Sequence, residues 1–290
     1  MTIDRIILDN FEIHCLRDGF FHLDGGAMFG IVPKILWEKK CGADSKNRIK
    51  LGLNSMLINT RKELILVETG MGAEIDQKFF DFYSVERKPG LIASLQKLGF
   101  QAEDINFVIN THLHFDHCGG NTLRDEKGEF VPTFPKAKYI IQKGEWEYAL
   151  NPSERDRESY LTQNFLPIEK HGLLQLMDGN AEISKGVEVL LVPGHTSHHQ
   201  CVKVYSEGKV LFYLGDLVPT SAHVGLSYVM GYDLFPLDTI KSKKKIFEQA
   251  IEEDWILFFT HDPFYFFGKV KKIKNKFQFH TFGDFISHRN

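Results

Sequence analysis

The chain alternates between short apolar runs and amphipathic segments. Six apolar runs predict buried strands, at residues 63–72, 105–112, 138–146, 187–195, 209–216 and 255–261. Two segments carry apolar residues three or four positions apart and predict helices, at residues 90–100 and 238–254, the second with Asp238 as its N-cap. Strands that alternate with helices predict a layered α/β protein with sheets inside and helices outside.

The organisation of the chain favours one domain. The sequence contains no internal repeat, low-complexity linker or strong boundary, so we expect a single domain over residues 1–290. Residues 151–170 are polar and aromatic, and they predict a helical insertion or lid within about residues 145–175. The lysine-rich stretch 269–280 is interpreted as a solvated edge strand.

Composition narrows the choice of partners and compartment. The 290 residues are 43% hydrophobic and 25% charged, as in an ordinary globular protein. Lysine and arginine number 35 against 38 acidic residues, so no basic excess indicates nucleic acid or a membrane surface as a partner. The N-terminus lacks a signal-peptide pattern, and the four scattered cysteines lack CxxC spacing. These features predict a cytoplasmic protein with free thiols.

The densest group of chemically active residues is THLHFDHCGG, residues 111–120. Residues two apart in an extended segment face the same side, so His112 and His114 can reach one metal ion together. Asp116 and His117 follow after the chain begins to turn and can face a second ion. The glycine pair at 119–120 permits a tight turn and close backbone approach behind these side chains.

Other predicted strands also end in metal-binding residues, which can complete two sites. His195 completes the first site, His261 completes the second, and the two oxygens of Asp216 bridge both ions. The predicted metal ligands are His112, His114, Asp116, His117, His195, Asp216 and His261. Imidazole and carboxylate ligands suit zinc, manganese or iron, and we favour two Zn²⁺ ions with Mn²⁺ or Fe²⁺ as alternatives. A site that needs no cysteine favours catalysis over a closed structural role.

These residues together resemble the metallo-β-lactamase superfamily. THLHFDH matches the HxHxDH signature, and His195, Asp216 and His261 follow in the expected order. The resemblance implies an αββα sandwich with the metals at one edge of two sheets. One departure occurs at Glu68-Thr69-Gly70, where the first strand of the superfamily often ends in Asp-Thr-Gly. We expect this change to affect groups that support the metal ligands.

Within the superfamily, the chain is similar to the quorum-quenching N-acyl-homoserine lactonases. The similarity lies in residues 23–40, 114–122, 134–149 and 215–223. It implies a small lactone or ester as substrate, and a homodimer for which loop 23–40 is a candidate interface. These lactonases place a tyrosine three residues after the bridging aspartate, where this chain has Pro219. The candidate substrate contacts are Met28, Phe29, Trp37, Thr220, His223, Tyr228 and Tyr232.

The implied reaction is attack of a metal-bound hydroxide on a lactone carbonyl, with Asp116 and Asp216 as catalytic residues. A metal-dependent arylesterase or phosphotriesterase of the same fold is the alternative. A periplasmic β-lactamase is disfavoured because it should carry an export signal. Glyoxalase II is disfavoured because it adds a helical domain after the last metal histidine, where only 29 residues follow His261. A binding protein with a vestigial metal site is disfavoured because every expected ligand position is filled.

Overall fold

The fold is built from two large β-sheets. The computed structural model describes residues 4–74 and 76–281. The first sheet has seven strands, in the order β1 (Arg5–Leu8), β2 (Phe11–Asp24), β3 (Arg48–Asn59), β4 (Leu64–Val67), β5 (Phe107–Ile109), β8 (Lys138–Gln142) and β9 (Leu174–Met177). The second also has seven, in the order β10 (Ala181–Ser184), β11 (Val187–Leu191), β12 (Gln200–Ser206), β13 (Lys209–Tyr213), β14 (Ile256–Phe258), β15 (Phe267–Ile273) and β16 (Lys276–Thr281). Strands β6 (Thr122–Arg124) and β7 (Phe130–Pro132) form a separate hairpin.

Short α-helices connect the strands, and one long helix covers the second sheet. The helices in the described ranges are α1 (Gly25–Phe29), α2 (Lys34–Cys41), α3 (Gln77–Phe82), α4 (Leu91–Lys97), α5 (Phe115–Cys118), α6 (Lys143–Leu150), α7 (Leu166–Lys170) and α8 (Pro236–Glu252). None of the helices described here combines the length and the apolar character needed to cross a bilayer.

Three apolar layers hold the sandwich together. Between the sheets, Ile58 and Val67 of the first sheet pack in one cluster with Val204 of the second. Outside the first sheet, the cluster contains Leu66, Val108 and Tyr139 of the strands with Leu91 and Leu95 of α4. Outside the second sheet, it contains Phe212 and Leu257 with Ile246 and Phe247 of α8. Fully burying one such side chain contributes about 1.5–3 kcal/mol. The layers run helix, sheet, sheet, helix, so the predicted αββα sandwich is confirmed.

Strand direction brings several strand ends to one edge. In the second sheet β11 and β13 are both antiparallel to β12, and therefore run the same way. Strand β14 is parallel to β13, so the segments that follow all three strands emerge at one edge. Backbone hydrogen bonds join the two sheets there, from Gln200 N–H to the Thr111 carbonyl (2.9 Å) and from Gly52 N–H to the His261 carbonyl (2.8 Å).

Four local predictions were wrong. The stretch 269–280, interpreted as one edge strand, contains parts of two antiparallel strands, β15 and β16, and only β16 lies at the edge of the sheet. The strand predicted over 138–146 ends at Gln142, because the chain turns there into α6. Helix α8 begins with Pro236, whose fixed φ suits the first helical position, so Asp238 lies in the first turn instead of at the cap. The apolar segment predicted as a loop at 23–40 contains two short helices, since the Asp24 carboxylate accepts the Ala27 N–H at 2.8 Å and caps the first of them.

Candidate metal centre

The segment after β5 supplies four polar side chains. His112 follows an extended stretch, and His114 precedes the single turn of α5, which presents Asp116 and His117. This turn lies against the segment after β4: a Cβ on Gly119 would be 2.2 Å from the Met71 carbonyl oxygen, and one on Gly120 would be 2.3 Å from that of Thr69. Both positions require glycine, because any side chain would force the two backbones apart.

A first group of three ring nitrogens converges at this edge. His112 Nε2 lies 3.0 Å from His114 Nδ1, and His195 Nε2 lies 3.2 Å from the same Nδ1 atom. All three rings are buried, with at most 8% of any residue exposed. Burial is the largest influence on His112 and His114 and lowers the pKa of both rings well below the usual value. For His195 burial also lowers the pKa, but the Asp216 and Asp233 carboxylates outweigh it and raise that pKa. The neutral imidazoles of His112 and His114 are ready to bind a metal ion.

A second group lies beside the first. His117 Nε2 and His261 Nε2 are 3.1 Å apart, and Asp116 Oδ2 lies 3.7 Å from the former and 3.5 Å from the latter. Burial lowers the pKa of His117, but the Asp116 and Asp216 carboxylates outweigh it and raise that pKa well above the usual value. The two carboxylates therefore stabilise a positive charge within the second group.

Asp216 lies between the two groups and faces both. Its Oδ2 atom is 3.4 Å from His195 Nε2, while its Oδ1 atom is 3.1 Å from His261 Nε2 and 3.5 Å from His117 Nε2. Oδ1 is buried without a hydrogen-bond partner among the described atoms. A buried carboxylate oxygen left in this state is costly, and a cation between the groups would satisfy it. The donor set therefore fits two cations that share Asp216.

Outer partners fix the orientation of the rings. His261 Nδ1 lies 2.8 Å from the Gly52 carbonyl oxygen, which can only accept, so Nδ1 carries a proton and Nε2 faces the second group. His195 Nδ1 lies 3.0 Å from the Asp233 carboxylate, and His112 Nδ1 lies 2.9 Å from the Thr111 hydroxyl. Such partners orient metal-binding imidazoles and raise their basicity.

Glu68 supports the second group at the position where the sequence departs from Asp-Thr-Gly. The Glu68 carboxylate accepts the Thr111 N–H at 2.7 Å through Oε1, and its Oε2 atom lies 3.4 Å from His117 Nδ1. The backbone of Glu68 has φ of +65°, an uncommon conformation for a residue with a side chain. The longer acid thus reaches both the segment after β5 and the His117 ring.

A cavity of about 420 Å³ opens over these groups. Its floor is formed by His114, Asp116, His195, Asp216 and His261. Its apolar wall is formed by Leu23, Met28, Leu51, Phe115 and Met230. Its remaining lining is Tyr83, Arg155, Asp156, Glu158, Ser159, Gly231 and Tyr232. An apolar wall over a polar, convergent floor is typical of a site for a small molecule.

The candidate substrate contacts fall into two sets. Met28 and Tyr232 line the cavity, and Tyr232 is 40% exposed. The other set packs behind the wall, where the Phe29 ring stacks on Trp37 (5.1 Å between centroids, 4° between planes) and on His223 (4.3 Å, 7°). Tyr228 meets the edge of Phe29 at 6.1 Å.

Hydrogen bonds anchor this stack to α8. His223 Nδ1 lies 2.7 Å from the Thr220 hydroxyl, and His223 Nε2 lies 2.8 Å from the Met28 carbonyl oxygen. Burial lowers the pKa of His223 to about 3, so the ring is neutral at pH 7. The buried Lys243 ammonium donates to the backbone carbonyls of His223 (2.7 Å) and Tyr228 (2.8 Å). Thr220 and His223 therefore hold the wall behind Met28, and substrate contact by Phe29, Trp37, Thr220, His223 and Tyr228 stays a prediction.

Several residues near the centre carry no local signal in the sequence. Asp233, the partner of His195, lies 38 positions after it in the chain, and Tyr83 reaches the cavity from the end of α3. Arg155 was signalled only by the polar, aromatic composition of the stretch 151–170. That stretch contains short 3₁₀ turns at Arg157–Ser159 and Thr162–Asn164, followed by α7.

Comparison with known proteins gives this architecture a family. Residues 49–261 match the model of the metallo-β-lactamase superfamily, which spans most of the chain and all seven converging side chains. The chain therefore belongs to the metallo-β-lactamase superfamily and is an enzyme of the hydrolase class, as the sequence predicts.

Within the superfamily, the chain is similar to individual lactonases and metal-dependent hydrolases. The chain is 30% identical over 218 residues to an N-acyl homoserine lactonase of Bacillus thuringiensis, an alignment that covers 71% of this chain and 79% of that protein. It superposes with a TM-score of 0.86 on a probable metal-dependent hydrolase from Staphylococcus aureus, at 30% identity, over 95% of this chain and 99% of that one. The fold also matches AidC, a dizinc quorum-quenching lactonase, with a TM-score of 0.81 at 24% identity over 97% of each chain. The predicted resemblance to the lactonase branch is confirmed.

Proposed function

We propose that this protein opens the lactone ring of N-acyl-homoserine lactones by metal-dependent hydrolysis. The observation that carries the proposal is the pair of adjacent ligand groups that share Asp216 at the floor of an apolar-walled cavity. The apolar wall suits an acyl chain, and the floor suits the polar ring that is to be opened. The name of the Bacillus thuringiensis relative supports the same substrate class.

In this proposal His112, His114 and His195 would hold one divalent cation, and Asp116, His117 and His261 would hold a second. Asp216, whose oxygens face both sets, would contribute to both sites. The nitrogen-rich donor set favours zinc, with manganese or iron as alternatives. When bound, such a pair of cations lowers the pKa of a bound water and polarises a carbonyl oxygen.

The chain itself moves the proton. Asp116 lines the cavity and its side chain is 11% exposed, so its carboxylate is open to a bound substrate. The water oxygen forms a bond to the lactone carbonyl carbon and the ring C–O bond breaks, while Asp116 carries the water proton to the departing alkoxide. The product is the open acyl-homoserine. Pro219 supplies no hydroxyl to the substrate carbonyl. Of the substrate contacts named from the sequence, Tyr232 is the one that brings a hydroxyl to the cavity lining.

A substrate panel tests this assignment. Metal-loaded protein is given short-chain and long-chain N-acyl-homoserine lactones, an aryl ester and a phosphotriester, and proton release is followed. We expect the lactones to be opened at least about tenfold faster than the other two, because the ring fits the floor while the acyl chain buries apolar area on the wall. Turnover of the aryl ester or phosphotriester with inert lactones would instead support the alternative hydrolase of the same fold.

The segment at 23–40 suggests a dimer interface. Ile31, just before α2, is 89% exposed. Ile35 and Leu36, in the first turn of α2, are 70% and 49% exposed. Adjacent exposed apolar side chains of this size often mark a protein interface. We infer that two copies pair through this surface in the cytoplasm, where the four free thiols are stable.

Sedimentation measures that pairing directly. We expect the wild-type protein to sediment as a dimer and Ile35→Glu to sediment as a monomer, because a charge at the centre of an apolar contact is costly to bury. Ile7→Glu is the control, since Ile7 is 56% exposed on β1, outside the 23–40 segment. A monomeric wild-type protein would contradict the dimer.

A further inference from the structure

One buried carboxylate lies beside the metal centre without belonging to it. Glu145, on α6, is 1% exposed. Its Oε1 atom accepts the Leu113 N–H (3.1 Å) and the Tyr160 hydroxyl (3.1 Å), and its Oε2 atom accepts the Thr196 hydroxyl (2.6 Å). All three partners donate to these two oxygens, so the side chain is held from three directions.

Each of the three partners is next to the first ligand group. Leu113 is the residue between His112 and His114, and Thr196 directly follows His195. The Tyr160 ring lies edge-on against the His114 ring, at 4.8 Å between centroids and 71° between planes. One side chain therefore contacts the backbone or immediate neighbour of every ligand in this group.

Tyr160 also belongs to the roof of the cavity, which we define as residues 151–165. Arg155, Asp156, Glu158 and Ser159 of the roof line the cavity. The Arg155 guanidinium donates to the Gly231 carbonyl at 2.5 Å and to the Asp233 carbonyl at 3.4 Å. The roof thus spans from the first ligand group to the loop that carries Tyr232, and Glu145 holds its end at the metal centre.

We propose that Glu145 is a positioning residue that holds the first ligand group and the roof in one arrangement, so that metal binding and the shape of the cavity are coupled. A metal ion that orders His114 and His195 also orders the roof through Glu145. The coupling is reciprocal, so the factor by which metal binding favours the ordered roof equals the factor by which the ordered roof raises the affinity for the metal. The proposal rests on the proposed function only in taking the first group to bind a metal.

Two conservative variants separate this role from general stability. In Glu145→Gln the amide oxygen can still accept from Leu113 and Tyr160, but an NH₂ group replaces the oxygen that accepts from Thr196. The side chain therefore keeps its size and two contacts, while the bond to Thr196, next to His195, is lost or reversed. Tyr160→Phe removes a single hydroxyl and keeps the ring against His114. Glu147→Gln is the matched control, because Glu147 lies on the same helix with its side chain 63% exposed.

Two measurements on the full-length protein report the coupling without using turnover. The first is the affinity of each variant for Zn²⁺, measured by competition with a chelating dye. We expect Glu145→Gln to weaken one of the two Zn²⁺-binding steps by about tenfold. Losses of metal affinity of this size are typical when a residue that supports a metal ligand is changed. Glu147→Gln should bind like the wild-type protein, and Tyr160→Phe should show a smaller loss in the same step.

The second measurement is amide hydrogen exchange in peptides that cover residues 151–165, with and without Zn²⁺. The wild-type protein and Glu147→Gln should gain protection there when Zn²⁺ binds, whereas Glu145→Gln should lose most of that gain. Wild-type affinity together with a wild-type exchange response in Glu145→Gln would overturn the proposal. A wild-type protein that shows this coupling but opens no lactone would leave the positioning role standing and remove the proposed substrate.

Discussion

Asp216→Asn is expected to lower kcat/KM on an N-acyl-homoserine lactone by more than about a hundredfold, or about 2.7 kcal/mol. Asp216 is the only side chain among the described residues whose two oxygens face both ligand groups. The amide of asparagine has one oxygen and one NH₂. Its oxygen can face only one of the two ligand groups, and its NH₂ hydrogens then face the other. Mutation of a residue that only supports a metal ligand typically costs about ten- to hundredfold in metal affinity or activity. The loss in Asp216→Asn should be larger, because Asp216 is itself a proposed metal ligand.

Metal content separates this prediction from a simple loss of activity. We expect purified Asp216→Asn to retain about one ion per chain or fewer, against about two in the wild-type protein. Asp238→Asn is the control, because its side chain is 45% exposed on α8 and pairs only with Lys241 at 2.8 Å among the contacts described. Full metal content with full turnover in Asp216→Asn would contradict the shared-ligand arrangement.

Removal of the metals with a chelator should abolish turnover and lower the melting temperature by about 10 °C. An ion present at a thousand times its Kd stabilises the folded state by about 4 kcal/mol, and a chain of this size shifts by about 2–4 °C for each kcal/mol. The physical cause lies in the centre itself. Asp216 Oδ1 is buried with no hydrogen-bond partner in the described structure. Ring nitrogens lie 3.0–3.2 Å apart, and their lone pairs repel each other unless a proton or a cation lies between them.

Scanning calorimetry with and without chelator measures this shift, and added Zn²⁺ should restore both the melting temperature and the turnover. The same chelator should move the melting temperature of His112→Ala much less, because that variant lacks a ligand of the first group. An equal melting temperature with and without metal would mean that the seven side chains do not bind ions in the folded protein.

The candidate metal centre could be predicted from the sequence because half of its pattern is local. His112, His114, Asp116 and His117 are close in the chain, and their spacing at the end of a strand fixes which of them share a side. His195, Asp216 and His261 were found because each follows an apolar run. The ends of like-directed strands meet at one edge of a sheet, so the sequence predicted their convergence without any knowledge of long-range contacts.

Element boundaries were less accessible, for an equally physical reason. The apolar run at 138–146 continues through a turn, so hydrophobicity did not mark the change from β8 to α6 at Gln142. At α8 the fixed φ of Pro236 outweighed the capping tendency of Asp238. Local preferences of this kind compete within a few residues, and packing decides between them.

Periodicity and strand-end motifs, which are properties of neighbouring residues, predicted a layered α/β fold and the set of converging side chains. The resemblance carried by those motifs then implied the family and its two sheets. Only the tertiary structure decided what surrounds that set. Glu145 meets Thr196 across 51 positions, and His223 meets Met28 across 195. Partners so far apart leave no pattern in a single sequence, since they are chosen by how the two sheets and the roof pack. The shape of the cavity, and with it the choice of substrate, is fixed at that level.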